Sequence, residues 1–342
     1  ASIHQGRRPD KDPRNRLLLP ALDIVEALQP EWIIVENVKH MLRTNVLNEH
    51  DGDENLVAIL RRRLRHYVVE PKVVDAASYG VPQRRERLIT ICRRRAESDA
   101  PCDGATFHAP STHGTPERPL VTLRAATAHL KPLDAFDRTR DPDDPMHVVP
   151  RWTSGQHFAM RHTPEGATAF DNHTCIACGH RSTDAADVNC AACGAELPRP
   201  TLRRCTWTCV ACGEVATASR ASCARGHARA PPFETTVRVV RAFKTSYRRM
   251  HADRPAATLT TNSGVISSDV KGHPTQHRVL SLREVLIVAS VASHPGFTAP
   301  WPSACALLET LPGKMIRHIA GESIPPLVLA TLVRHLQQLD PE

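Results

Sequence analysis

An apolar run, Trp32 to Val35, ends directly at a carboxylate, Glu36. The segment before it, Leu18 to Leu28, carries apolar side chains at helical spacing, and Pro30 separates the two. A continuous apolar run bounded in this way is typical of a strand that helices cover on both faces. The chain is therefore expected to build an α/β unit in which Glu36 is the first polar group after a buried strand.

The same alternation of helical and strand-like segments continues to about residue 98. Leu56 to Leu64 has helical spacing, whereas Tyr67 to Val74 and Leu88 to Ile91 are rich in β-branched residues. Strands that alternate with helices favour a largely parallel sheet. We therefore assign residues 1–98 to an α/β domain.

The composition changes between about residues 99 and 250. Prolines, histidines, glycines and threonines dominate there and little periodicity remains, which predicts an irregular inserted recognition module. Regular patterns return in residues 251–342, where Leu282 to Val291 has the pattern of a helix. A final amphipathic helix is expected at Leu327 to Leu339. Its shared apolar face is predicted to consist of Leu327, Ala330, Val333, Leu336 and Leu339.

Cysteine spacing within the inserted module indicates metal binding. Eight of the eleven cysteines lie between Cys175 and Cys223, mostly as Cys-x2-Cys pairs, and the chain shows no secretory signal that would favour disulfides. We expect two tetrahedral structural zinc ions, in modules at about 173–195 and 205–229, with disulfides or idle thiols as the alternatives. The predicted ligands are Cys175, Cys178, Cys190 and Cys193 for one ion and Cys209, Cys212, Cys223 and His227 for the other, with Cys205 as a competitor of His227.

The formal net charge of +8 favours a polyanionic partner such as nucleic acid, unless the many arginines reflect only coding bias. No stretch approaches the roughly 18 apolar residues of a membrane helix, and Val285 to Ala292 is the best candidate. The N-terminus, charged from Arg7 onward, does not resemble a signal peptide. These features predict a nucleic-acid-binding protein with no membrane partner.

Glu36 lies where open α/β sheets gather their reactive groups, at the carboxyl end of a strand. Burial there would favour its protonated form and make it a proton donor near neutral pH. The alternative is a carboxylate at the start of a helix near Asn37, where the helix dipole stabilises negative charge. Gln83, Arg85 and Arg87 favour the first interpretation, because they alternate into a strand and present donors that grip a planar polar ring or a phosphate. A solvated basic strand is the alternative for these three residues.

Six short motifs occur in the order that is typical of one enzyme family. They are Asp12 to Leu17, Glu36 to Val38, Tyr79 to Arg87, Arg254 to Thr258, Arg278 to Val285 and Ile319 to Pro326. Together they resemble the motifs of the DNA cytosine-5 methyltransferase family, over most of residues 1–98 and 250–342. The resemblance implies a Rossmann-like methyltransferase sheet, here without its N-terminal part. It also implies that the irregular zinc-binding insertion at residues 99–250 is a target-recognition region.

In that family a cysteine thiolate attacks carbon 6 of a flipped-out cytosine in double-stranded DNA, and carbon 5 takes a methyl group from S-adenosylmethionine. The resemblance makes Glu36 the acid that protonates ring nitrogen N3, Arg87 the group that holds the ring oxygen, and Arg85 a brace of the site. It also implies a phosphate contact at Arg14 and a DNA contact at Gln83. The residues that it places along the cofactor are Leu17, Glu322, Ser323 and Ile324, although the family has asparagine where Glu322 stands.

The family's Gly-rich cofactor loop and Pro-Cys nucleophile precede the first motif found here. The chain is therefore expected to be inactive alone, as a truncated or split enzyme whose missing part a separate chain supplies. Neither Cys92 nor Cys102 has a matching context. We expect a cytoplasmic, nucleoid-associated enzyme of a modification system or mobile element. The alternatives are a non-catalytic zinc-ribbon DNA-binding protein that retains the scaffold, and an RNA cytosine methyltransferase, which the large insert disfavours.

Overall fold

The apolar run at Trp32 forms one edge of a central sheet. The structure, a computed structural model, describes residues 17–47, 50, 52–95, 106–161, 163–171, 175, 177–180, 187–197, 203–217, 222–228, 235–239, 245–292 and 310–340. Its first elements are α1 (Leu18–Leu28), β1 (Trp32–Val38), β2 (Asn45–Leu47), β3 (Asp53–Asn55), α2 (Leu56–Arg63), β4 (Tyr67–Asp75) and β5 (Glu86–Arg94). The middle elements are α3 (Leu123–Thr127), β6 (Arg140–Asp141), β7 (Asp144–Val148), α4 (Ser154–Arg161), β8 (Arg203–Thr208), β9 (Val215–Thr217) and β10 (Thr235–Val239). The last are β11 (Arg248–Arg249), β12 (Val270–Gly272), α5 (Leu282–Val288), α6 (Gly313–Glu322) and α7 (Pro326–Leu339), and no helix within these ranges is long and apolar enough to cross a membrane.

The central sheet has three strands in the order β1, β5, β4, and both pairs are antiparallel. The expectation of a largely parallel sheet is therefore wrong for the described strands. β1 and β4, which α2 connects, do run in the same direction, as a crossover through a helix requires. β5 returns from β4 through the short connection at 76–85 and lies between the two, which makes both of its pairings antiparallel.

Helices cover this sheet on both faces. On one face, Leu22 of α1 and Leu60 of α2 belong to a buried cluster with Leu88 of β5. On the other face, Leu332 of α7 packs in a cluster with Ile89 of β5. The result is a three-layer α/β arrangement, which confirms the predicted fold class.

The last helix buries a face that includes Leu336 of the predicted set but is otherwise shifted around the helix. Its buried side chains are Val328, Leu332 and Leu336, whereas Val333 and Leu339 are 42% and 47% exposed. Residues four apart lie above one another on a helix, and this row is the one that meets the sheet. The predicted helix is confirmed, and its contact face is corrected.

Local signals set the ends of several helices. Gln29 adopts a left-handed conformation with φ 48° and closes α1. The side chain of Asn55 accepts hydrogen bonds from the first backbone N–H groups of α2. Ser281 and Glu284 form a reciprocal capping box at the start of α5. Neighbouring residues therefore supply the hydrogen bonds that define these helix ends.

Where the structure describes it, the inserted region shares a buried core with the segment beyond residue 250. Trp152 and Met160 belong to one buried cluster there, so this region is less irregular than its composition predicts. A second cluster joins Leu123 and Met250 to Val285 of α5. Because this cluster crosses the predicted boundary at residue 250, the two sides of that boundary share a core. The domain boundaries themselves stay predictions.

Candidate active site and metal sites

Glu36 and Arg87 form an ion pair across β1 and β5. The guanidinium Nε of Arg87 lies 2.9 Å from Oε1 of Glu36, and the side chains of Arg87 and Glu36 are 15% and 23% exposed. Val38 lies opposite Arg87 in the strand register, so Glu36 is the diagonal neighbour of Arg87 on the same face of the sheet. Burial lowers the pKa of Arg87, although the charge and hydrogen bond of Glu36 oppose this shift. The pair is partly exposed, so a ligand can reach it.

Arg85 lies beside this pair and is only 2% exposed. Its Nη1 donates to the carbonyl of Leu259 at 2.9 Å and its Nη2 to the carbonyl of Gly321 at 2.8 Å. Burial, reinforced by the charge of Arg87, lowers the pKa of Arg85 to about 10 against the opposing field of Glu36. The side chain ties the start of β5 to two distant segments of the chain. This position suits the predicted brace better than a contact with substrate.

Gln83 lies inside the protein with 1% exposure. Its Nε2 donates to the carbonyl of Val288, and its Oε1 accepts from the backbone N–H of Leu259. Gln83 and Arg85 thus both reach the backbone of Leu259, in agreement with side chains that alternate along an extended chain. Because both ends of the Gln83 amide are engaged, its DNA contact stays a prediction that this arrangement does not favour.

Asp75 was not among the predicted site residues, yet it organises the turn before β5. Its carboxylate accepts hydrogen bonds from the backbone N–H groups of Ala77 and Arg85, at 3.2 and 3.0 Å, and from Nη1 of Arg84 at 2.6 Å. These contacts fix the direction in which Arg85 and Arg87 leave the turn. The available sequence signal was its place at the end of a β-branched strand, directly before the arginine motif.

The residues predicted to line the cofactor lie at two helix ends. Leu17 precedes α1 and is 65% exposed. Glu322 is the last residue of α6, with a side chain that is 66% exposed, and Ser323 and the half-buried Ile324 follow it in the turn before α7. These assignments stay predictions. So does the phosphate contact at Arg14, which lies outside the described residues.

Four sulfur atoms converge in the first cysteine group. The Sγ atoms of Cys175 and Cys193 are 3.6 Å apart, as are those of Cys178 and Cys190, and all four cysteines are free of disulfides. The four atoms lie within 4.8 Å of one another. A tetrahedron with Zn–S bonds of about 2.3 Å has edges of roughly 3.8 Å. This donor set therefore fits a zinc ion.

The second group combines three cysteines with one histidine. Nδ1 of His227 lies 3.5 Å from Sγ of Cys223 and 3.7 Å from Sγ of Cys209, and the sulfurs of Cys212 and Cys223 are 3.7 Å apart. These four donors also lie within 4.8 Å of one another. They make a complete set without Cys205, whose side chain lies outside the described residues.

A left-handed glycine closes each Cys-x2-Cys turn. Gly179, Gly194 and Gly213 have φ values of 75°, 73° and 70°, and the N–H of each donates to the carbonyl of the first cysteine of its pair at 2.8 Å. An L-residue with a side chain is strained at these φ values. The glycines therefore allow both sulfurs of a pair to point to the same side.

Cys92 is the one described cysteine side chain outside these two groups. It is 0% exposed in the core between the sheet and the helices α1 and α2. Burial raises the pKa of the Cys92 thiol to about 12. A buried thiol of this kind is inert, so Cys92 does not serve as a nucleophile.

Residues 2–338 match the family model of the C-5 cytosine-specific DNA methylases. The chain belongs to this family. C-5 cytosine-specific DNA methylases transfer a methyl group to cytosine in DNA, with S-adenosylmethionine as their cofactor. The identification confirms the resemblance that the six motifs carry.

Individual relatives agree with the family model. The chain is 23% identical to the Type II methyltransferase M1.HgaI of Avibacterium volantium, over 95% of this chain and 71% of that protein. It is 30% identical to M.HhaI of Haemophilus parahaemolyticus, over 38% of this chain and 37% of that protein. A solved structure of a DNA modification methyltransferase encoded within a prophage of E. coli has a TM-score of 0.52 at 14% identity, over 97% of this chain and 76% of that one. At this identity the structural match shows the fold alone.

Proposed function

We propose that this chain supplies the cytosine-binding part of a restriction-modification DNA methyltransferase, with Glu36 and Arg87 as the groups that receive the flipped base. The partly exposed ion pair between them is the observation that supports this role. Cytosine presents ring nitrogen N3 and carbonyl oxygen O2 side by side, so one edge of the base can face both residues. The guanidinium of Arg87 then donates to O2, and Glu36 donates its proton to N3.

Protonation of N3 withdraws electrons from carbon 6 and favours addition of a thiolate there, and this addition makes carbon 5 nucleophilic. Bound S-adenosylmethionine would supply the methyl group from its sulfonium and leave as the thioether. Loss of the carbon 5 proton to water then expels the thiolate, and N3 returns its proton to Glu36. Arg85 has a positioning role. Its hydrogen bonds fix the backbone at Leu259 and Gly321 beside Glu36 and Arg87, and it does not itself touch the base. A well-placed proton donor contributes on the order of 10²–10⁴-fold to the rate, and this is the share assigned to Glu36.

The thiolate comes, in this proposal, from a segment other than those described. Of the eight described cysteine side chains, seven belong to the two metal groups and Cys92 is buried. The edge of β1 that faces away from β5 pairs with no strand in the described part of the chain. In and directly before α1, the apolar side chains of Leu17, Ile24 and Leu28 are 65%, 59% and 73% exposed. These features support the missing strands of a methyltransferase sheet as the neighbour, supplied upstream or by a separate chain.

In this proposal the zinc ions have a structural and not a catalytic role. Each four-donor group holds one ion, and because protein ligands fill all four positions of a tetrahedral site, none remains for substrate. The ions hold together a region that has few apolar residues, while basic side chains contact double-stranded DNA. Arg225 lies between the ligands Cys223 and His227 and is exposed. Its Nε atom is 3.3 Å from Oε1 of Glu214, so a DNA phosphate can compete with Glu214 for it.

The test uses the chain extended with the family's Gly-rich and Pro-Cys motifs, and measures transfer of labelled methyl groups from S-adenosylmethionine to DNA. Glu36→Gln should lower the rate about 100-fold or more. Glu54→Gln is the matched control, since Glu54 also pairs with an arginine and its side chain is likewise 23% exposed. Unchanged activity in Glu36→Gln would refute the assigned acid. DNA binding without any methyl transfer by the extended parent would instead favour the non-catalytic DNA-binding protein.

A further inference from the structure

A cavity of about 590 Å³ lies where the start of α6, the turn at 261–265 and the strands β6 and β7 meet. Its apolar wall includes Met146, Leu282 and Ile316, which form a buried cluster of their own. None of the candidate active-site residues lines it. The volume lies in the range of cavities that hold small molecules. The cavity therefore calls for an explanation apart from base binding.

Three cations and no carboxylate line this cavity. Arg140 and Lys314 are exposed at its rim, whereas Arg317 is only 4% exposed. Nη2 of Arg317 donates to the carbonyl of Leu280 at 2.8 Å, and Nη1 to the carbonyl of Ser263 at 3.4 Å. Within the described ranges, no carboxylate forms an ion pair with any of the three cations. A buried guanidinium with no carboxylate in contact is costly, so this wall of the cavity favours an anion.

Glu284 is the carboxylate whose charge acts on Arg317, and it already forms an ion pair with Arg278. Glu284 raises the pKa of Arg317, but burial dominates and lowers it to about 10, so the side chain stays charged at neutral pH. Glu284 itself is held by Arg278 in a pair with both side chains 1% exposed. Glu284 is therefore shared between Arg278 and Arg317, which leaves positive charge at this wall of the cavity.

The backbone around Arg317 also suits an anion. α6 has ten residues, begins at Gly313 in the cavity wall and has no side-chain cap, so its first N–H groups and helix dipole favour a negative charge there. A Cβ at Gly264 would lie 3.1 Å from Cδ of Arg317, so the absence of a side chain lets this turn close on the arginine. Backbone donors and a buried cation thus meet at one end of the cavity.

We infer that this cavity is an anion site, separate from the base-binding pair, that takes a phosphate group carried on an apolar or aromatic body, as in a nucleotide. The phosphate lies against Arg317 and the start of α6, with Lys314 and Arg140 at the rim, and the body packs against Met146 and Leu282. Free nucleotides and the backbone of DNA carry the same phosphate chemistry. The experiment below separates these two sources.

A purely structural arginine is the competing explanation. It accounts for the hydrogen bonds from Arg317 to the carbonyls of Leu280 and Ser263. It does not account for a cavity whose other charged lining residues, Arg140 and Lys314, are also cations. Only the anion-site explanation predicts that ligand binding weakens when the positive charges of Arg140 and Lys314 are removed.

The test measures binding to the full chain by fluorescence anisotropy, with labelled adenosine monophosphate and, as the matched probe without phosphate, equally labelled adenosine. The double variant Arg140→Glu with Lys314→Glu should weaken binding of the nucleotide at least about tenfold. The control double variant Arg61→Glu with Arg334→Glu makes the same change in net charge at exposed positions outside the cavity and should change binding less than about twofold. Melting curves establish that each variant is folded.

Saturable binding of the nucleotide but not of adenosine, weakened only in the rim variant, is the expected result. A short DNA duplex that displaces the nucleotide identifies the DNA backbone as the source, and a duplex that does not displace it identifies a free nucleotide. Equal binding of both probes, no saturable binding, or the same affinity in rim and control variants would overturn the site. Should the double variant fail to fold, Lys314→Ala alone is expected to weaken binding about threefold, and no change in it would be equally decisive.

Discussion

Arg278 and Glu284 form a bidentate ion pair in which both side chains are 1% exposed. The Oε2 atom of Glu284 also accepts from the backbone N–H of Ser281 at 2.7 Å. The hydroxyl of Ser281 in turn contacts Nδ1 of His147 at 2.9 Å. One buried polar network therefore joins the inserted region to α5 and to one of the family motifs.

Removal of one partner from this pair should be costly. Glu284→Gln leaves the guanidinium of Arg278 buried without a counter-charge, so we expect the free energy of unfolding to fall by about 3–5 kcal/mol in urea titrations. Glu54→Gln breaks a pair in which Arg62 is 45% exposed and should cost less than about 1 kcal/mol. Equal losses in the two variants would contradict the buried role of Glu284.

The same pair predicts how stability changes in acid. Burial alone would raise the pKa of Glu284, but Arg278 holds it at about 2, below the ordinary value of 4.5. A depressed folded pKa stabilises the protein above about pH 4.5, and this contribution, roughly 3 kcal/mol, is lost as the pH falls towards 2. The wild-type chain should therefore lose more stability in this window than Glu284→Gln. Parallel pH profiles for the two proteins would exclude this assignment.

Substitutions of Arg85 should mainly lower stability, whereas substitutions of Arg87 should mainly lower the rate of methyl transfer. Arg85→Met leaves the buried carbonyls of Leu259 and Gly321 without their donor and should lower the free energy of unfolding by about 2–3 kcal/mol. Arg87→Met breaks a partly exposed pair and should cost about 1 kcal/mol or less, yet it should reduce methyl transfer by the extended enzyme more strongly. Arg85→Lys should restore part of the stability. A larger stability loss for Arg87→Met than for Arg85→Met would reverse the two roles.

Zinc content should follow the two donor groups. Inductively coupled plasma mass spectrometry of the full chain should find about two zinc ions per chain. Cys178→Ser or Cys212→Ser should reduce this number to about one. Cys92→Ser is the control and should keep both ions, because Cys92 lies in the core of the sheet. If His227→Ala retained two ions while Cys205→Ser lost one, Cys205 would replace His227 as the ligand.

Features that depend on neighbouring residues were predictable from the sequence. The strand at Trp32, the helix that ends before Pro30 and both groups of four metal donors are placed as their spacing predicts. Each of these depends on periodicity or on the local reach of a turn. The proximity of Glu36 and Arg87 also agrees with the resemblance, which gives both residues contacts to the same cytosine ring.

Features that depend on distant partners were not predictable. Periodicity identifies β5 as a strand but does not say that it lies between β1 and β4, since that order depends on the connection and the packing around it. The partners of Arg85, Leu259 and Gly321, belong to segments far along the chain, and no local pattern connects them. The burial of Gln83 was not predictable for the same reason, because its acceptor at Val288 and its donor at Leu259 come from distant segments.

The open edge of β1 has a consequence for how this chain must be produced. No strand in the described part of the chain pairs with this edge, and an apolar edge of this kind pairs readily with another copy; the exposed side chains of Ile24 and Leu28 add apolar surface for such contacts. We therefore expect the chain to aggregate with increasing concentration when it is synthesised alone. In the proposed two-part enzyme, co-expression with a segment that pairs with this edge should suppress aggregation, so that assembly and folding become a single event.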